Sequence, residues 1–499
     1  MKNFKAVLAS AMLTAFATSA TAGGILTNTN QSIDFLRNPA RDASIGLDGV
    51  YSNPAGVVFM PEGFHLGVNW QYAHQTRTIT STNDFFKMGK KNHNEATKTF
   101  EGTADAPCIP SLQAAYNKGD WSIQFNFSVP GGGGKCVFSD GLGSFESVVG
   151  NIANQLKPFG AQGYDMDGFM EGRQYYFGFQ LGTAYKISEK LAVYGGLRLL
   201  YGTATYKAKI SNIMVNVGEG LYAPFGNFLQ SVATTVDNNL EMVDAGIAQY
   251  EAAGATALPQ YAELVATKTQ LEGAKQSISS LQKYSQGVNL LCNQSSFGLA
   301  PIIGVDYKLN NRFNFAAKYE FKTQIRMKNE STVNEASEIN AVNKFRDGEE
   351  VNEDAPALLA LGAQWSPVDE VRLSLGWHHY FDKEASWYAN AQDKLAHNSN
   401  EFLAGAEWDV TDRLTVSIGG QLTRYGLSDE YMNDMSFVVN SNSIGLGFNY
   451  KATDHLSLKA GYFQTMYDTY DRVTSTTPLV SDSFTRTNHV LGVGCQLDL

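Results

Sequence analysis

Beyond its first twenty or so residues, the 499-residue chain has no run of about 18 apolar residues, so no membrane-spanning helix is written into it. Proline is sparse, with 13 residues, which leaves room for long uninterrupted elements. Basic charge is in deficit: 38 Lys and Arg face 49 Asp and Glu, a net charge of −11. With no basic stripe, a nucleic-acid partner is not expected. The four cysteines, Cys108, Cys136, Cys292 and Cys495, form no CxxC pair and no metal-ligand spacing, so neither a metal site nor a disulfide scaffold is expected. Export would permit a disulfide between Cys108 and Cys136, which lie just beyond the ends of two neighbouring predicted strands. Neither a G-x-S-x-G nucleophile elbow nor a phosphate-binding G-x-x-x-x-G-K motif occurs, so no catalytic residue and no cofactor is expected.

What is plentiful is glycine (47), phenylalanine (29) and tyrosine (24), a mixture suited to β-structure with aromatic belts. The N-terminus reads as a signal peptide over residues 1–22. Lys2 and Lys5 form its charged start, Ala6 to Ala17 its short apolar run, and Ala20-Thr21-Ala22 its small-residue cleavage site.

A strand–aromatic–turn–strand unit then recurs six times. Its aromatic is Tyr116, Tyr185, Tyr307, Trp365, Trp408 and Tyr450 in turn, each followed by a short polar turn and a new apolar run. The flanks alternate with period two: Trp121, Ile123, Phe125, Phe127 and Val129 share one face, and Ser122, Gln124, Asn126 and Ser128 the other. Each turn aromatic has the parity of the apolar face. On a lipid-facing wall that parity sets an amphipathic ring at headgroup depth. A soluble β-sandwich or small soluble barrel also alternates, but gives no reason for the recurrent turn aromatic.

Short turns at one end are matched by long insertions at the other, about 28 residues before Ile109 and about 85 before Phe297, the pattern of bacterial membrane barrels. The hairpins predict twelve strands: 109–117 with 121–130, 173–186 with 191–209, 297–308 with 313–328, 355–366 with 371–386, 400–409 with 414–426, and 443–451 with 456–469. Strands at 63–79 and 484–499 make about fourteen antiparallel strands, an even number that closes the sheet and removes its edges. The chain ends on Leu499 where many such barrels end on an aromatic. The expected fold is thus an all-β transmembrane barrel over residues 62–499, with a partly helical external loop over 211–296. Segments 225–252 and 260–285 read as helices split near Gly254 to Pro259. Residues 23–61, interrupted by Asn38-Pro39, Asn53-Pro54 and Pro61, do not read as strand. A barrel this wide needs something in its lumen if it is not to leak, and this segment is the expected hatch.

The segment Arg41-Asp42-Ala43-Ser44-Ile45-Gly46-Leu47-Asp48-Gly49-Val50-Tyr51-Ser52-Asn53-Pro54-Ala55-Gly56 resembles the N-terminal hatch of FadL/TodX-type outer-membrane transporters, with the Asn-Pro-Ala motif at Asn53, Pro54 and Ala55 followed by Gly56. The resemblance covers most of the mature chain. It implies passive uptake of long-chain fatty acids or other hydrophobic compounds, capture among external loops, movement into the barrel, and lateral release into the outer membrane beside an inward-kinked third strand. It also implies a monomer among membrane lipid. Pro130-Gly131-Gly132-Gly133-Gly134, at the end of the third predicted strand, is the candidate lateral gate, since proline removes a ladder donor and glycine permits a bulge. Phe225, Phe228, Leu229, Leu264, Leu271 and Ile278 form helical stripes, candidates for the outer hydrophobic groove or for packing helix on helix. Arg198, Lys318, Arg372 and Lys459 face the lumen by parity and are the candidates for a ligand carboxylate, or for pairing with lumen acids such as Glu320. Alternative readings are a porin for polar solutes and an outer-membrane lipid hydrolase. For the hydrolase, His378, His379, His455 and His489 supply bases but no recognisable nucleophile.

Overall fold

The computed structural model describes residues 26–27, 32–282, 284–333 and 344–499. The expected signal peptide lies outside them. Fourteen strands succeed one another around a closed antiparallel ring: β1 (Gly63–Asn83), β2 (Thr97–Lys118), β3 (Trp121–Phe138), β4 (Gly163–Ser188), β5 (Leu191–Asn216), β6 (Val288–Lys308), β7 (Phe313–Glu320, resuming as Arg326–Val333), β8 (Leu358–Val368, preceded by Glu350–Asn352), β9 (Val371–Tyr380), β10 (Ser399–Thr411), β11 (Leu414–Arg424), β12 (Ser441–Lys451), β13 (Leu456–Tyr467, continued by Tyr470–Thr476) and β14 (Leu479–Asp498). β14 closes on β1 in a ladder from His65–Asp498 to Asn83–Val480, and Leu499 extends it by exchanging two hydrogen bonds with Phe64. The terminal leucine therefore completes the seam, with its side chain on the outer face.

Alternation along the strands sorts the residues as their parity requires. Trp121, Ile123 and Phe125 are exposed, while Ser122, Gln124, Asn126 and Ser128 are buried inside. All six turn aromatics are exposed, between 39% and 53%, on the outer face. So large an apolar outer surface is untenable in water and is that of a wall facing lipid. Rings of neighbouring strands meet along this belt, Trp121 with Tyr185 at 4.6 Å and Tyr201 with Phe297 at 4.7 Å between centroids.

The strands on the early side run further outward than their hydrophobic pattern indicated. β2 begins at Thr97, twelve residues before the predicted start at Ile109, because Thr97, Thr99, Glu101 and Thr103 alternate as polar, not apolar, outer residues. The insertion before it is correspondingly shorter. Above the barrel, among the described residues, stand three helices of eight residues or more: α1 (Gly143–Gln155), which no sequence pattern announces, and the hairpin α2 (Phe225–Ala252) and α3 (Pro259–Gln282). Their apolar residues join Phe86, Phe100, Tyr164, Trp387, Tyr431 and Phe437 in one large buried cluster at the outer end. Cys108 is exposed and Cys136 buried, and both are free thiols, as are Cys292 and Cys495. The disulfide allowed by export is not made.

Candidate functional site

Residues 32–61 form no ladder, so their backbone groups need other partners. The inward side chains of the wall provide them. Asn117 on β2 donates to Val57 O at 2.8 Å, Gln124 on β3 to Pro54 O at 2.8 Å, and Gln180 on β4 to Val50 O at 2.9 Å. On β7, Asn314 donates to Ala43 O at 2.8 Å and Lys318 to Tyr51 O at 2.7 Å. The Asn-Pro-Ala-Gly residues are part of this contact. Asn53 donates to Asp306 on β6 at 2.6 Å, and Ala55 is fully buried against Ala184, Ala192, Tyr194 and Ile302. Gly56 admits no side chain, since a Cβ there would overlap the carboxamide of Asn53 and the carboxylate of Asp306.

The other half of the wall meets the same segment differently. Inward glycines lie side by side across β8 to β14. Gly362 pairs with Gly376, Gly405 with Gly419, Gly419 with Gly445, Gly447 with Gly461, and Gly461 with Gly492. A Cβ at these positions would meet Ala43, Asp42, Asn38, Pro39, Leu36, Arg37 or Ile33 of the N-terminal segment. The belt is a shallow bed for the short helix Ile33–Arg37 and the turn after it. Charge then fastens the segment. Glu407 on β10 receives Arg37 at 2.8 Å and Arg41 at 3.1 Å, Lys459 on β13 reaches Asp34 at 2.5 Å, and His378 on β9 sits between Asp42 at 2.9 Å and Glu401 at 3.0 Å. Sequence reasoning passed over these partners. Their signal was available as five charged residues, Asp34, Arg37, Arg41, Asp42 and Asp48, in a segment expected to be enclosed, and as inward parity for Glu401 and Glu407.

The wall itself is interrupted between β2 and β3. The two strands pair from Leu112–Phe127 toward the turn and again from Ala104–Cys136 outward, with no pairs between. Residues 105–111 and 128–135 border this break. The register of β3 on β4 also shifts twice here, between Ser128 and Gly131 and between Gly132 and Gly134. The cause is local. Pro107, Pro110 and Pro130 offer no N–H, and glycines follow at 131–134. Gly132 has φ +119° and no room for a Cβ, which would run into the carbonyl of Gln174. The expected bulge thus falls on Pro130, Gly131, Gly132, Gly133 and Gly134, while the part played by Pro107 and Pro110 across from it was missed because the strand was started at Ile109. Behind the break lies a cavity of about 100 Å³, bounded by Ala73, Ala104, Ala106, Ile109, Val129, Tyr175 and Val490, with Gln71 and Asn488 among its few polar residues. A second, of about 40 Å³, lies above the N-terminal segment between Phe35, Arg41, Asp42, Tyr51, Lys318, His378 and Tyr380.

The four candidate cations are all engaged by protein groups. Arg198 pairs with Glu320 at 2.6 Å and stacks over Tyr51, and Lys318 pairs with the same carboxylate at 2.7 Å. Arg372 pairs with Asp409 at 2.6 Å, and Lys459 with Asp34. Their parity was read correctly, but in this structure they hold wall and segment together. A ligand carboxylate would have to displace a partner. The helical stripes are likewise closed: Phe225, Phe228, Leu229 and Ile278 are buried in the outer cluster, Leu271 packs against it, and Leu264 lies beside Gly246 across the hairpin. Of the two uses open to these stripes, the structure displays the packing of helix on helix. Among the hydrolase bases, His455 bonds the carbonyl of Asp498, His489 the hydroxyl of Tyr462, and His379 the side chain of Asn400. No group of three metal-ligating side chains occurs among the described residues.

No protein-family model matches the chain, and no curated protein matches it. Solved structures do. A Pseudomonas aeruginosa FadL homologue matches with a TM-score of 0.59 at 10% identity, over 95% of this chain and 99% of that one. The toluene transporter TodX of P. putida matches with a TM-score of 0.53 at 12% identity, over 91% and 94%. The Ralstonia pickettii toluene transporter TbuX matches with a TM-score of 0.50 at 12% identity, over 94% and 98%. The likeness spans the whole ring and is one of architecture, so the chain has the FadL-type fold, a closed fourteen-strand antiparallel barrel of the outer-membrane kind.

Proposed function

We propose that this protein is a passive outer-membrane channel for hydrophobic compounds, in which residues 32–61 act as the hatch and cargo leaves sideways through the wall between β2 and β3. The observation that carries the reading is the unpaired stretch of that wall with an apolar cavity directly behind it. In a membrane barrel every backbone group facing lipid needs a partner, so a break at membrane depth is costly unless it opens onto protein or onto a passage. About 100 Å³ is of the size that holds one small aromatic ring or a stretch of alkyl chain. The two toluene transporters that share the fold favour aromatic hydrocarbons as one cargo class, with long-chain fatty acids as the other. The paired state of Arg198, Lys318, Arg372 and Lys459 takes these four away from a cargo carboxylate.

The amide and ion-pair contacts of residues 32–61 on opposite sides of the wall support their reading as a hatch that closes the lumen to ions. The test is purification from membranes, extraction and mass spectrometry of bound small molecules, together with uptake by cells that make or lack the protein. Recovery of an aromatic hydrocarbon or fatty acid with a matching uptake defect is expected. No hydrophobic ligand and unchanged uptake would overturn the proposal. A steady ion conductance in planar bilayers would favour the polar-solute porin instead.

A further inference from the structure

The outer face of the barrel changes character above its apolar band, and it does so unevenly. On β5 the lipid-facing residues run Val193, Leu197, Leu199 and Tyr201, then Thr203 and Thr205, then Lys207 and Lys209. On β4, Phe179, Phe177 and Tyr175 give way to Arg173 and Glu171, and on β3 the same level carries Lys135. Register places these side chains together: Lys135 is opposite Arg173, Arg173 opposite Thr205, Glu171 opposite Lys207 and Phe169 opposite Lys209. Four cations therefore share one patch with Glu171 and, at its upper edge, Asp167, in a chain whose net charge is −11. Glu171 is divided between Lys135 and Lys207, each at 3.2 Å, and the next acid up β4, Asp167, is held by Lys91 and Asn212, each at 2.6 Å. The patch keeps an excess of positive charge. The neighbouring wall does not share it. At the same height β1 presents Thr76, Thr78, Thr80 and Thr82, of which Thr76 bonds a threonine of β14 and Thr80 and Thr82 bond threonines of β2.

We infer that Lys135, Arg173, Lys207 and Lys209 form a binding site for the phosphate groups of an anionic lipid headgroup in the outer leaflet. Three things point to that occupant. The side chains are exposed and have the lipid-facing parity, not the lumen one. Arg173 follows Tyr175 by two residues on β4, and Lys207 lies six residues beyond Tyr201 on β5, which at about 3.3 Å per residue on a tilted strand spans headgroup height. Clustered cations at that height are the recognised means of holding phosphorylated headgroups, and phosphate oxygens accept several N–H donors at once. The patch also borders the outer end of the break between β2 and β3, so the bound lipid would stand beside that opening. The inference rests on the membrane placement of the wall, not on the identity of the cargo.

The test uses the full-length barrel in uncharged detergent, with lipid retention read by native mass spectrometry. The probes are an acylated diglucosamine bearing two phosphates, the same lipid without phosphates, and inorganic phosphate as competitor. Wild type is expected to retain the phosphorylated lipid at least about tenfold more strongly than K135Q/R173Q/K207Q/K209Q, with the difference shrinking as salt is raised. The unphosphorylated lipid should bind both proteins equally weakly. E171Q, which leaves the cations and removes the competing acid, should bind more tightly than wild type. The fold of each variant is checked by the faster gel migration of unheated barrel. Equal retention by wild type and the quadruple variant would overturn the inference. So would equal retention of the two lipids. Full displacement by equimolar inorganic phosphate would assign the patch to a free anion and equally refute the lipid.

Discussion

Glu407 is the lumen carboxylate on which three guanidinium groups converge. It is buried among Arg37, Arg41 and Arg372, and without it three guanidinium groups lose a shared counter-charge. Breaking a buried pair on one side costs about 3–5 kcal/mol, because the remaining charge is left uncompensated. Glu407→Gln keeps the shape, so the loss should fall on the segment it holds. Amides of residues 32–61 are expected to exchange hydrogen faster while the strand amides stay protected, and unchanged exchange would show that the ion pairs do not hold the segment. Two loop acids above the membrane respond to pH. Burial lifts Asp434 and Asp382 from the ordinary carboxylate range to about 6, with Asp482 adding repulsion at Asp434 and Glu384 at Asp382, against hydrogen bonds from Ser144 and Ser399. A carboxyl whose pKa is raised on folding stabilises most below its unfolded value and loses that contribution as pH rises through the folded one. The external loops at 381–398 and 425–440 should therefore resist protease better at pH 5 than at pH 7.5. Residue-scale features were only half legible in the sequence. Parity placed Arg198, Lys318, Arg372 and Lys459 inside, but parity says nothing of what stands opposite across the lumen. Asp34 lies more than four hundred residues from Lys459 in the chain.

At the level of elements, the wall is specialised strand by strand. β2, β3, β4 and β7 grip the N-terminal segment with amides and a lysine, and β8 to β14 give it a glycine bed and charged partners. A side chain added to the bed should lift the segment. Gly405→Val is expected to raise ion conductance in planar bilayers, since its Cβ would overlap Asn38, whereas valine at the outward Ala404 of the same strand should not. The external hairpin is held at its base, where Leu229 is fully buried. Leu229→Ala should cost about 2–5 kcal/mol locally and expose α2 and α3 to protease. Period-two alternation made the turn-side ends of the six hairpins readable to within two residues, because a lipid-facing side chain and a lumen side chain differ sharply in polarity. It failed where that contrast fades. The outer part of β2 carries Thr and Glu on its outward face, and so reads as loop. The glycine belt was present in the composition, yet its meaning depends on register across seven strands, which a single sequence does not display.

For the whole molecule, the fold follows from one requirement: an apolar exterior with every backbone group paired and no free edge. The recurrent turn aromatics and the even strand count express that requirement, and both could be read directly. The break beside Pro107, Pro110 and Pro130 departs from it, and departures of this kind are where function is to be sought. Its location is half legible, from the glycine run on β3, while the matching prolines on β2 lie in a stretch whose polar outward residues mask its strand character. The proposed passage of cargo through that break is tested most directly by filling it. Ala106 borders the cavity on the β2 side, and Ala106→Trp adds an indole to a space of about 100 Å³ without touching the N-terminal segment's ion pairs. Uptake of a labelled hydrophobic compound should fall to the level of cells lacking the protein, with the variant still folded and still sealed to ions. Uptake at the wild-type rate through a filled break would contradict lateral passage between β2 and β3.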